Sequence, residues 1–119
     1  MSSSSFLKAA SFAATLLSGS ALAEEYQRMA DVMAWYGFTW EAIKVTTEDN
    51  FILTTFHVTG TDADGPFTPT RPPVLIQHGD YSDGANWLGG YPTGEPMHLQ
   101  LARAGYDVWI GNNRGTEYS

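Results

Sequence analysis

A strand hairpin followed by a strand–helix–strand unit, and hence the α/β class, is predicted by three observations. Ile43 and Val45 alternate with Lys44 and Thr46, and Phe51, Leu53 and Thr55 alternate with Ile52 and Thr54, around the turn Thr47-Glu48-Asp49-Asn50. Val74-Leu75-Ile76 is an unbroken apolar run, the pattern of a strand buried on both faces in a parallel sheet. Helical spacing then separates it from a second apolar strand, Tyr106 to Ile110, which stops at Gly111.

The elements follow in order. Residues 1–23 have the build of a secretory signal: Lys8, the apolar stretch Phe12 to Leu17, and a small-x-small pattern at Ala21-Leu22-Ala23. That apolar stretch is too short to span a bilayer, and the absence of arginine argues against an organelle transit peptide. Residues 24–119 then read as one folded unit. Met29, Val32, Met33 and Tyr36 lie at i, i+3, i+4 and i+7, predicting a short helix packed by that face and stopped by Gly37. Glu24 and Glu25 are expected near its positive end. In the hairpin turn Asn50 is the residue able to accept a left-handed backbone. Thr59 to Thr70, rich in Gly, Asp, Thr and Pro, is expected to be a loop. Pro96 fits the first helical position, with Met97, Leu101 and Ala104 on one face before Gly105. The resulting βαβ connection is expected to be right-handed.

Composition narrows the chemistry. The chain has 119 residues, 43% of them hydrophobic, and a formal charge of −7. Its four tryptophans and six tyrosines are too many for a disordered tail. An acidic chain with six Lys and Arg lacks the basic clusters that phosphate backbones require, so no nucleic-acid partner is expected. Without cysteine there are neither disulfides nor thiolate metal sites.

Four motifs stand in a fixed order. They are Val45-Thr46-Thr47-Glu48-Asp49-Asn50-Phe51-Ile52-Leu53, Pro73-Val74-Leu75-Ile76-Gln77-His78-Gly79, Asn86-Trp87, and Gly105-Tyr106-Asp107-Val108-Trp109-Ile110-Gly111-Asn112-Asn113-Arg114-Gly115. A lone His-Gly pair carries little information, but the ordered set resembles the N-terminal part of the acid lipase family, α/β-hydrolases that include gastric and lysosomal acid lipases. The resemblance covers nearly all of residues 24–119. It differs at Asn50, where that family more often has glycine.

The resemblance implies an incomplete α/β-hydrolase fold and an esterase acting on triacylglycerols, sterol esters or similar acyl lipids through a Ser-His-Asp triad. It needs no cofactor and no metal. The residue after His-Gly then lends its backbone N–H to the oxyanion hole; here that residue is Asp80, supported by His78 and Gly79. The family commonly has leucine at this place. A backbone donor survives any side chain but proline, while a carboxylate at this spot opposes a developing oxyanion. The nucleophile belongs in a Gly-x-Ser-x-Gly elbow, which does not occur in these 119 residues, and the triad acid and histidine come later still. The expectation is therefore the N-terminal portion of such an enzyme, inactive by itself. A non-catalytic secreted module that binds lipid or a protein partner is the alternative.

Other residues attract weaker readings. His78 as a general base lacks a neighbouring serine, and orienting the loop is the better role. His78, Asp80 and Asp83 do not have the spacing of a calcium loop. Asp107 lies early in a strand, where pairing or capping is expected rather than triad chemistry. Arg114 fits either an anion or the carbonyls of a turn. Trp87 and Trp109 read as core residues before they read as a lipid platform.

Overall fold

A computed structural model describes residues 25–79, 84 and 94–119. The elements are α1 (Gln27–Tyr36), β1 (Phe38–Thr46), β2 (Ile52–Thr61), β3 (Gly65–Pro66), β4 (Pro73–Ile76), α2 (Met97–Arg103) and β5 (Asp107–Ile110). The sheet runs β1-β2-β5-β4, with β3 paired to β2. β1 and β2 are antiparallel, β2 and β5 are antiparallel, and β4 and β5 are parallel. The α/β class and the hairpin-then-βαβ order agree with the sequence reading.

α1 buries Met29, Val32 and Met33, the predicted stripe. It ends where expected, because Gly37 takes φ 75°, a left-handed conformation that costs a side-chain-bearing residue about 1–2 kcal/mol. Glu25 directly precedes the cap residue, near the helix start as expected, and Glu24 lies outside the described residues. Tyr26 is the cap residue, and no acid lies in the first turn. Glu25 accepts from the Tyr26 hydroxyl at 2.6 Å and pairs with Lys44 of β1 at 3.0 Å. The carboxylate thus serves the strand's cation from the helix start.

The hairpin is longer than the alternation suggested and turns at the predicted place. Thr47 N–H donates to the Phe51 carbonyl, Asn50 N–H donates to Thr47, and Asn50 carries φ 66°. The register shifts once, between Thr39 and Trp40, so that Thr59 of β2 has no Cα partner on β1. Thr59 to Thr61 belong to β2, not to the expected loop, and Gly65–Pro66 fold back to pair with Gly60 and Thr61. Gly60 is required there, since a side chain would run into the Gly65 and Pro66 backbone.

One face of the sheet carries the core. Phe38 and Ala42 of β1, Phe56 and Val58 of β2, Ile76 of β4, and Val108 and Ile110 of β5 pack with α1 and with Leu99 and Ala102 of α2. Phe56 is fully buried between Tyr26 and Trp40, with ring centroids at 5.2 and 5.6 Å in edge-on geometry. Burying such a ring contributes about 2–3 kcal/mol, and its aromatic pairs add roughly 1 more.

Two predicted faces are corrected. In α2 the buried residues are His98, Leu99 and Ala102, while Met97 is 49% exposed and Ala104 exposed. Leu101 is half-buried against the core. Pro96 caps this helix rather than occupying its first position. Hydropathy favoured the methionine, but the sheet selects the stripe one residue on. In β4 only Ile76 is buried, and Leu75 is 66% exposed on the far face, so that strand is covered on one side among the described residues.

Candidate active-site loop at the ends of the parallel strands

β4 and β5 run side by side in the same direction, and the loops that leave their carboxyl ends lie together. Those ends are where open α/β sheets bind ligands. Gln77-His78-Gly79 leaves β4, and Gly111-Asn112-Asn113 leaves β5. Gly111 N–H donates to the Ile76 carbonyl at 3.0 Å, extending the ladder one step past the strands.

His78 is buried and both its ring nitrogens are occupied. The backbone N–H of Asn113 donates to Nε2 at 3.0 Å, which makes Nε2 the acceptor and leaves Nδ1 to donate to the Gly79 carbonyl at 2.8 Å. This network assigns the tautomer. A ring so engaged has no lone pair for a substrate proton; it ties the His-Gly turn to the neighbouring loop. Asn112 is buried as well, and both ends of its amide are engaged. Nδ2 donates to the Thr54 carbonyl at 2.8 Å, and Oδ1 accepts from Gly84 N–H at 2.7 Å. Gln77 Nε2 donates to Asn113 Oδ1 at 2.8 Å. Asp80, Asp83, Asn86 and Trp87 lie outside the described residues, as does the signal segment.

A second polar cluster escaped the sequence reading. On the sheet face away from the helices, His57 of β2 stacks on Trp109 of β5 at 3.7 Å between ring centroids. Its Nδ1 lies 2.8 Å from Glu41 Oε1, and its Nε2 lies 2.7 Å from Asp107 Oδ1. Trp109 donates to the other Asp107 oxygen at 2.8 Å. Burial pushes the Asp107 carboxyl up, but the hydrogen bonds from His57 and Trp109 outweigh it, and its pKa lies below the usual range. With one nitrogen facing each carboxylate, the ring has no free position for a metal or a hydroxyl. Among the described residues no group of three His, Cys, Asp or Glu is placed to hold a metal ion. Only strand register joins Glu41, His57 and Asp107, which is why spacing along the chain concealed them.

Asp107 pairs within the sheet, as the sequence suggested. Trp109 is half-buried on the outer face, not in the core, because its indole N–H follows Asp107. Arg114 binds an anion of the chain itself, the Asp49 carboxylate, at 2.8 and 3.3 Å, and lies over the Phe51 ring. It makes neither an external anion site nor a brace for its own turn's carbonyls.

The sequence matches the family model described as the partial alpha/beta-hydrolase lipase region over residues 29–90. The chain belongs to the α/β-hydrolase lipase family. Human lipase member N is 36% identical over 96 residues, and human lipase member K 34% over 97, each alignment covering 81% of this chain and 24% of the relative. Rat gastric triacylglycerol lipase is 31% identical over 96 residues, with the same coverage. These relatives bear out the likeness to the N-terminal portion of acid lipases. The chain spans about a quarter of the length of the curated relatives it matches.

Proposed function

We propose that this chain supplies the N-terminal segment of an acyl-ester hydrolase acting on triacylglycerols, sterol esters or related lipids. Its part is half of the oxyanion hole. The backbone N–H of Asp80 is the donor, and His78 and Gly79 hold the turn that presents it. The observation that carries this reading is a His-Gly turn at the carboxyl end of a parallel strand, tied by a buried histidine to the next strand's loop, in a chain of lipase kinship.

A donor of this kind works because charge gathers on the ester oxygen as the tetrahedral intermediate forms, and a fixed N–H stabilises it without reorganising. The nucleophilic serine, its following N–H and the acid–histidine pair come, in this reading, from the three-quarters of the relatives' length that the chain does not align with. The signal at residues 1–23 sends the enzyme into the secretory route, to the outside or to the lysosome. Lipid substrate, with neither cofactor nor nucleic acid, completes the proposal. No described helix is long and apolar enough to cross a membrane.

A second reading, a secreted module that binds lipid or a partner without catalysis, draws on the exposed Leu75 beside the sheet edge at β4. Ester hydrolysis separates the two. The 119-residue chain and the same chain continued through its downstream reading frame are assayed on short-chain esters and on triacylglycerol emulsions. Turnover by the longer polypeptide, and none by the shorter, is expected. A folded longer polypeptide that cleaves no acyl ester would overturn the hydrolase reading and leave the binding module.

A further inference from the structure

Each of the two loops at the strand ends sets an amide against a glycine of the other, and the pairs cross. The Asn112 amide of the β5 loop lies against Gly84 of the β4 loop: a Cβ on Gly84 would stand 2.9 Å from Asn112 Oδ1 and from Ile110 Cγ2. The Gln77 amide of the β4 loop lies against Gly111 of the β5 loop, where a Cβ would collide with Gln77 Oε1. Both amides also bond across, Asn112 Oδ1 to Gly84 N–H at 2.7 Å and Gln77 Nε2 to Asn113 Oδ1 at 2.8 Å. At Gly84 the buried Asn112 and Ile110 leave no room for a side chain, whereas at Gly111 a side chain would displace the exposed Gln77 amide from its place.

The buried half is fixed in orientation. A carbonyl faces Nδ2 of Asn112 and an N–H faces Oδ1, so flipping the amide would oppose like groups at both ends. Thr54 of β2 thus anchors Asn112, and Asn112 anchors Gly84. Six residues earlier, His78 anchors the same loop to the adjacent Asn113. His78 and Gly84 are therefore each tied to one of two consecutive asparagines.

We propose that Asn112 and Gln77 are positioning residues, which set the place of the His-Gly turn against the developing oxyanion through this reciprocal lock. The inference rests on the hydrolase reading above. A turn held from both sides stabilises charge only where charge develops, so loosening it acts on the transition state and spares ground-state binding.

The test uses the chain continued through its downstream frame. kcat and KM on a soluble p-nitrophenyl ester are measured per folded molecule, with amide hydrogen exchange at Gly84, in the parent and in N112A, N112D and Q77A. N112A is expected to lower kcat about ten- to a hundredfold with KM within about threefold, and to speed Gly84 exchange. N112D keeps an acceptor for Gly84 but sets an oxygen against the Thr54 carbonyl, so it is expected to recover no kcat over N112A; a kcat loss per folded molecule at unchanged KM is what mere loss of stability would not give. Gln77 is exposed, so Q77A leaves the core intact; a fall in kcat of about three- to tenfold at unchanged KM is expected. Values of kcat within about twofold of the parent, in Q77A and in whichever Asn112 variant folds, would overturn the inference while leaving the hydrolase reading standing. A parent that turns over no ester removes that reading and the inference with it.

Discussion

Asp80 is the residue on which the proposed chemistry turns, and its side chain and backbone pull in opposite directions. Proline there deletes the N–H outright. On the hydrolase reading proposed above, D80P should therefore lower kcat about a hundredfold, the usual cost of one oxyanion donor. D80L retains the donor and removes a negative charge, so its kcat should equal or exceed the parent's. Initial rates on a soluble ester check both, and a D80P enzyme as fast as the parent would dismiss Asp80 as donor. At this scale the sequence was legible where one residue type answers one backbone need. Gly37 and Asn50 were found by their conformations, and His-Gly by its place after an apolar run. It was silent where a role depends on a partner distant in the chain. Nothing in the spacing links His57 to Asp107, or Asn112 to Gly84.

Among elements, the antiparallel pair was the easiest to foresee, since alternation and a turn residue point the same way. Its turn also gives a clean measurement. Asn50 sits at φ 66°, which asparagine tolerates and β-branched residues do not. N50V should destabilise the chain by about 1–2 kcal/mol. N50G, the family's usual residue, should stay within about 1 kcal/mol, because relief of the left-handed backbone offsets the added freedom of the unfolded chain. Urea midpoints of the three proteins decide, and an N50V midpoint equal to the parent's would contradict the role given to the turn. Helix α2 was placed correctly and faced wrongly. Seven residues offer too few turns for hydropathy to fix a phase, and His98, polar by any scale, lies fully buried. In β4 the three apolar residues suggested two covered faces; Leu75 shows one open.

Across the whole molecule, one tie spans from the first turn to the last loop. Arg114 grips Asp49, and its hydrogen bonds, followed by that of Thr47, hold the Asp49 carboxyl down to about 2. A carboxyl depressed in the folded state stabilises above its unfolded value and ceases to as pH falls through its folded one. The contribution is thus present above the ordinary 3.8 and vanishes toward about 2. D49N should flatten the fall in thermal midpoint over that window. Because the pair is exposed, about 1 M salt should shrink the difference between the two proteins. Equal slopes for parent and D49N would show that the tie contributes nothing. The overall α/β order was legible from period alone, whereas the choice of covered face was not, because both faces of the hairpin carry apolar side chains.

Thr59, which has no Cα partner on β1 although its hydroxyl bonds Thr39 and its carbonyl accepts from Phe67 N–H, also gives the hairpin a tolerance. A strand with one residue to spare can lose it. Excising Thr59 would bring Val58 and Gly60 into plain succession opposite Trp40 and Thr39, with every neighbour still on its own side. Excising His57 instead would slide Val58 into the outward place and Thr59 into the buried one before the register recovers at Gly60, and would remove the ring that joins Glu41 to Asp107. A higher melting midpoint for the first shortened chain than for the second is the expected contrast, which makes Thr59 the position in this strand where a codon is lost at least cost.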